Sequence, residues 1–142
     1  MQAVLKEQYV QFSIHEENYS IRISGIHEII RMQTITSIPN SPGYLKGVIN
    51  LRGAIIPVIS LRSLFLMEEV EPTKASRIIV VNYRDKPMGI VVDKVDKVVV
   101  FSKIHEAPSQ YGSGSMACIS GIGIAAGELV GIIDLDKMLL ET

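Results

Sequence analysis

Leu45-Lys46-Gly47-Val48-Ile49-Asn50-Leu51-Arg52-Gly53-Ala54-Ile55-Ile56-Pro57-Val58-Ile59-Ser60-Leu61 reads as two short apolar strands joined at a glycine corner, ending on a hydroxyl suited to cap a helix. The same pattern returns without a gap from Ile119 to Leu135. Gly47 falls on Gly121 and Gly53 on Gly127, an offset of about 74 positions that marks an internal repeat. The helix starts match as well. Ser60-Leu61-Arg62-Ser63-Leu64-Phe65-Leu66 lies over Asp134-Leu135-Asp136-Lys137-Met138-Leu139-Leu140, each with an N-cap oxygen followed by apolar residues at i, i+3 and i+4. At the corner, Asn50, Leu51 and Arg52 face Ile124, Ala125 and Ala126. The copy turns without a charge, so Arg52 is not needed to make such a turn.

Upstream, Val10, Phe12 and Ile14 alternate with Gln11 and Ser13, and Tyr19, Ile21 and Ile23 alternate with Ser20 and Arg22. With the polar turn His15-Glu16-Glu17-Asn18 between them, these predict a hairpin with one wet face. Ser24-Gly25 breaks the run, and Ile26 to Met32 resumes it with Glu28 among apolar neighbours. This block also recurs: Val10 to Met32 aligns on Ile79 to Phe101, at an offset of about 69. Strands are expected at Ile79 to Tyr83, Met88 to Asp93 and Val95 to Phe101, with a turn at Arg84-Asp85-Lys86-Pro87, and Glu28 maps onto Lys97.

The offset grows because about five extra residues stand around Lys103 to Ser115, where a repeat usually carries a surface loop. The corresponding connector in the first half is Gln33 to Tyr44, and polar Met67 to Ser76 reads as the linker between halves. The expectation is one domain over residues 1–142, mostly β, with approximate halves 9–66 and 77–140. Each half, with roughly five short strands and a terminal helical turn, suits a small barrel that needs its twin to complete a core.

A length of 142 residues and 47% hydrophobic content suffice for a core without staples. Net charge of -1 and scattered Lys and Arg leave no footprint for nucleic acid. Cys118 stands alone and reads as a buried, inert thiol. Met1 to Glu7 lacks the apolar core of a signal peptide, and the uncharged stretch Ala107 to Gly127 is interrupted by Pro108, serines and glycines, so a loop and a strand are expected there rather than a membrane span. A cytoplasmic protein is expected.

His15, His27 and His105 lack metal-site spacing, and no nucleophile elbow supports a catalytic triad. The glycine runs beginning at Gly112 and Gly121 satisfy a loose dinucleotide fingerprint but do not open a helix after a strand. No metal, cofactor or catalytic residue is therefore expected, and Glu68-Glu69-Val70-Glu71 reads as a solvated acidic run.

Two features ask for more. Glu28 and Arg52 occupy positions where the other half carries different residues; they are either two solvated charges that never meet or a charged spot on a partner surface flanked by Ile26, Ile29 and Val48. Pro57 removes a ladder donor, which predicts a sheet edge or a bulge, yet its strand is apolar on both faces. Either the other half or a partner protein should cover it.

Gly47-Val48-Ile49-Asn50-Leu51-Arg52-Gly53, Pro57-Val58-Ile59-Ser60-Leu61-Arg62 and Gly89-Ile90-Val91-Val92-Asp93 together resemble the chemotaxis coupling protein (CheW) family, from near Tyr9 to Leu140. The resemblance implies two intertwined five-stranded SH3-like β-barrels with short helices. It implies a non-enzymatic adaptor joining the cytoplasmic tips of chemoreceptors to the regulatory domain of the histidine kinase CheA, with no direct membrane insertion. The positions matching the family's receptor groove are Ile23, Ile26, Glu28, Arg52, Gly89 and Val98. Its kinase contact corresponds to Gly53, Ile55 and Ile56, and a second contact, in the rings that coupling protein and kinase domain close by pairing, to the loop with Pro108, Gln110 and Tyr111. Many relatives carry aspartate where this chain has Ser60; serine still caps a helix, but a salt link from that aspartate would be absent. With no receiver domain or kinase segment in the sequence, a stand-alone adaptor is expected. The same resemblance fits a chemosensory system controlling pili or development. A reading from another class, a small-ligand or enzymatic barrel, would use His27, Glu28 and His105.

Overall fold

The alternation in the sequence sets the strands of a computed structural model that describes residues 7–107 and 118–138. The first half contains β1 (Tyr9–Ile14), β2 (Glu17–Arg22), a 3-10 turn (Ile23–Gly25), β3 (Ile26–Arg31), β4 (Leu45–Leu51), β5 (Ala54–Ser60) and the single-turn helix α1 (Leu61–Leu64). The second contains β6 (Arg77–Tyr83), β7 (Lys86–Val92), β8 (Lys94–Val99), β9 (Lys103–Glu106), β10 (Ile119–Ala125), β11 (Glu128–Ile133) and α2 (Leu135–Met138). Both offsets of the repeat carry over strand by strand.

The halves exchange hairpins. One sheet runs β3-β6-β7-β5-β4 and the other β8-β1-β2-β11-β10-β9, so the first hairpin of each half lies in the middle of the other half's sheet. Parallel pairing locks each exchange: Val58, Ile59 and Ser60 of β5 lie beside Gly89, Ile90 and Val91 of β7, and Gly131 and Ile132 of β11 beside Tyr19 and Ser20 of β2. The fold is mostly β, with the two sheets intertwined. The first has the five strands expected; the second gains a sixth, β9, from the inserted segment.

Exchange corrects the predicted wet face of the first hairpin. Phe12, Ile14, Tyr19 and Ile21 enter a cluster shared by both sheets with Ile59, Leu61, Ile79, Ile90 and Ile133, while Tyr9 packs with Phe101, Val130 and Ile132 inside the second sheet. Gln11 and Ser20 are buried too, because a strand at the centre of a curled sheet has no solvent side; the Ser20 hydroxyl donates to the Gly131 carbonyl at 3.2 Å. In the first sheet Ile49, Ile56, Val58, Ile78 and Val80 form the matching interior. The run Ile78 to Val81 is apolar throughout because β6 is covered on both faces.

β5 is likewise not an edge strand, since it lies between β7 and β4. Pairing with β7 begins at Val58, so Pro57 stands just outside the stretch where β7 would meet its missing N–H. The other half covers Ile56, Val58 and Ile59, but Ile55 remains 64% exposed.

The hairpin turns are two residues shorter than predicted. His15 and Glu16 (φ 51° and 65°) and Arg84 and Asp85 (φ 52° and 66°) turn the chain alone, in the doubly positive-φ geometry usually signalled by Asn-Gly. Of the glycines matched by the repeat, Gly47 and Gly121 have a steric reason. A Cβ on Gly47 would stand 2.1 Å from the Thr36 carbonyl oxygen, and one on Gly121 2.8 Å from that of His105. In each half the connector before the last hairpin crosses directly over that backbone.

Candidate protein-binding site

Arg52 follows β4, at the corner where its own φ is 52° and that of Gly53 is 89°. The Asn50 side chain braces the corner by accepting the Gly53 N–H at 2.9 Å. From there the Arg52 guanidinium donates to the Glu28 carboxylate on β3. β3 and β4 are the two edges of the first sheet, so the pair spans the seam where that sheet curls closed. The two charges do meet. The Arg52 side chain is 67% exposed and that of Glu28 25%, so the pair contributes about 0–1 kcal/mol to folding. The second half has Lys97 and Ala126 at these places, so the equivalent ion pair cannot form there.

The other positions expected at partner surfaces divide. Ile23 and Val98 are exposed, and Ile26 is half-buried against the shared cluster. Gly89 is buried between strands, with Ile78 and Val58 filling the space a Cβ would need, so it offers no side-chain contact surface. Gly53 and Ile55 are exposed at the hairpin tip, whereas Ile56 is 3% exposed and belongs to the first sheet's interior. Alternation along β5 explains why two neighbouring isoleucines differ so much. Pro108, Gln110 and Tyr111 lie outside the described residues. His15, His27 and His105 sit on a turn, β3 and β9, and no metal-type cluster of three ligands occurs among the described residues.

A second charged group was not singled out by the sequence. Arg62, 12% exposed on α1, donates from Nε and Nη2 to the two oxygens of Asp93 at 3.2 and 2.5 Å, and from Nη1 to the Glu68 carbonyl at 3.1 Å. Asp93 also accepts the His15 N–H at 2.8 Å. Beside it, Ser60 caps α1 by accepting the Ser63 N–H at 3.2 Å and donates to Glu69, which also takes the Ser63 hydroxyl at 2.5 Å and Lys46 at 3.2 Å. The acidic run is exposed as expected, but Glu69 within it is held by these partners. It places a carboxylate beside Ser60, and a salt link at this helix start is made from the linker.

Burial alone would raise the pKa of Asp93, but hydrogen bonds from Arg62 and the His15 N–H outweigh it and hold the carboxyl below its usual range. Glu69 is lowered against the same desolvation by Ser60, Ser63 and Lys46. A carboxyl with a depressed folded pKa stabilises the fold fully above its unfolded pKa, and that share is lost as pH falls through the folded value. Melting temperature is thus expected to drop below about pH 4. The deficit of an Asp93→Asn variant at pH 7 is expected to shrink over the same range, as circular-dichroism melts would register. Burial pushes the Cys118 thiol the other way, up to about 11, which leaves it unreactive near neutrality.

A family profile described as "CheW-like domain" matches residues 8–142. The chain belongs to the CheW family. It is 32% identical over 135 residues to a protein of Klebsiella aerogenes named "Chemotaxis protein CheW", covering 94% of this chain and 81% of that one. A protein of Bacillus subtilis with the same name is 33% identical over 135 residues, covering 94% and 86%. A crystal structure titled as the scaffolding protein TtCheW from Thermoanaerobacter tengcongensis superimposes with a TM-score of 0.84 at 33% identity, over 95% of this chain and 88% of that one. As a CheW-family protein the chain is a scaffold of chemotaxis signalling and not an enzyme. Among the described residues no helix is long and apolar enough to cross a membrane.

Proposed function

We propose that this chain is the adaptor of a cytoplasmic receptor array, joining a chemoreceptor tip to the regulatory domain of the histidine kinase CheA, without a cofactor, nucleic acid or inserted membrane segment. The observation that carries the proposal is the Glu28–Arg52 pair. It occupies a solvent-facing seam, exists in only one of two otherwise similar halves, and stabilises the fold too little to account for itself. Exposed Ile23 and Val98, with half-buried Ile26, are the apolar positions assigned with it to the receptor hairpin, and Gly53 and Ile55 are assigned to the kinase. Pro108, Gln110 and Tyr111 are assigned to a second contact within the ring.

Calorimetry with separate receptor-tip and kinase fragments tests the assignment. Arg52→Glu is expected to weaken the receptor fragment at least tenfold, about 1.4 kcal/mol, and leave the kinase fragment nearly unchanged. His27→Ala, 4.0 Å from the same carboxylate, should alter neither. The double exchange Glu28→Arg with Arg52→Glu restores a seam pair but not the order of the charges. Weak receptor binding in that variant supports direct recognition, and full recovery would assign the pair to seam closure alone.

A further inference from the structure

The repeat offsets superimpose the Arg62–Asp93 group on a second set of residues. Arg62 corresponds to Asp136, Asp93 to Ser24, Ser60 to Asp134, and Lys46 to Ser120. In the first copy these positions are filled and paired: Arg62 lies on Asp93, and Lys46 reaches Glu69 at 3.2 Å. In the second copy the corresponding residues line an open cavity of about 310 Å³, with Ile21, Ile132 and Leu135 among its walls. That volume is at the lower end for ligand pockets and suits one long side chain rather than a cofactor.

The charges differ in the same sense. Asp134 and Asp136 both line the cavity, and among the described residues neither makes an ion pair within 4.0 Å. Arg22 is the one cation in the lining; its side chain is 62% exposed and lies 3.9 Å from Glu7. The site therefore carries a net negative charge where its twin is balanced, and it is empty where the twin holds a guanidinium.

We propose that this cavity is a docking pocket for an arginine side chain of a partner protein, which supplies from outside the cation that Arg62 supplies in the twin. Arginine fits better than lysine because its planar fork serves two carboxylates and the Ser24 and Ser120 hydroxyls together, while its stem lies along the isoleucine and leucine walls. The pocket requires no assumption about which proteins the adaptor joins.

Amide-shift titration of the whole chain with N-acetyl-L-argininamide, N-acetyl-L-lysinamide and N-acetyl-L-norleucinamide tests it. The arginine compound is expected to shift Ser24, Gly25, Ser120 and Leu135 saturably, with millimolar half-saturation, and more tightly than the lysine compound; norleucine should have no effect. Asp136→Asn is expected to weaken binding about tenfold. Asp134→Asn, which keeps an oxygen for the Asp136 N–H, should do likewise. Ser24→Asp with Asp136→Arg copies the filled site and should abolish the shifts. Arginine shifts no larger than those of norleucine, or unchanged in both single variants, would overturn the proposal. Tighter binding of free L-arginine than of the blocked amide would replace a partner side chain by a small molecule.

Discussion

Gly47→Ala is expected to cost about 3–5 kcal/mol, a large share of the roughly 5–15 kcal/mol that stabilises an ordinary domain. The added methyl would stand 2.1 Å from the Thr36 carbonyl oxygen and 2.7 Å from its carbon, both of them backbone atoms that no rotamer change can move. Thr36 and Val48 exchange two backbone hydrogen bonds of 2.9 Å over this glycine, and relieving the clash breaks both. Each is worth about 1 kcal/mol, and holding alanine at φ 148° adds about 1–3. Urea denaturation gives the value. Gly53→Ala is the control: it also has a positive φ, 89°, but nothing within 4 Å of the new methyl, so about 1 kcal/mol is expected. Equal losses at both sites would show that crossing backbones are not what Gly47 is for.

Arg62→Met should be the next most damaging, at about 2–3 kcal/mol. Methionine keeps the stem but leaves Asp93, whose side chain is only 33% exposed, without its main partner. A fully buried broken pair costs about 3–5 kcal/mol, and partial exposure lowers that figure. The arginine also fastens α1 to the start of the linker through the Glu68 carbonyl, while Asp93 reaches the His15 turn from the other sheet. A double-mutant cycle with Asp93→Asn separates the pair from the linker contact. A loss under about 0.5 kcal/mol for Arg62→Met would reduce the group to a surface ion pair.

The repeat made most of the strand inventory legible, since an ungapped match places both hairpins and both helix starts at once. Hairpin exchange left no local trace: parallel neighbours such as Tyr19 and Gly131 are far apart in the chain, and period-two alternation reads the same in either sheet. Burial of Gln11 and Ser20 followed from that exchange and could not be foreseen without it. β9 was missed because Lys103-Ile104-His105-Glu106 is short and exposed throughout. At the candidate site, comparing the halves singled out Glu28 and Arg52, but their meeting depends on how the sheet curls. The same comparison sets Arg62 against Asp136 and Asp93 against Ser24. What the sequence lacked was the volume between the last two pairs, which only packing supplies.

Exchange of hairpins also bears on how force passes through the molecule. Two lobes joined by a tether can rock against each other, but here each sheet holds in its middle a hairpin from the other half of the chain, and the side chains of both fill one common interior. Rocking would have to tear β2 from β11 or β7 from β5 before any hinge could open. A push at the Arg52 corner is therefore delivered to the far lobe as displacement of a single stiff block.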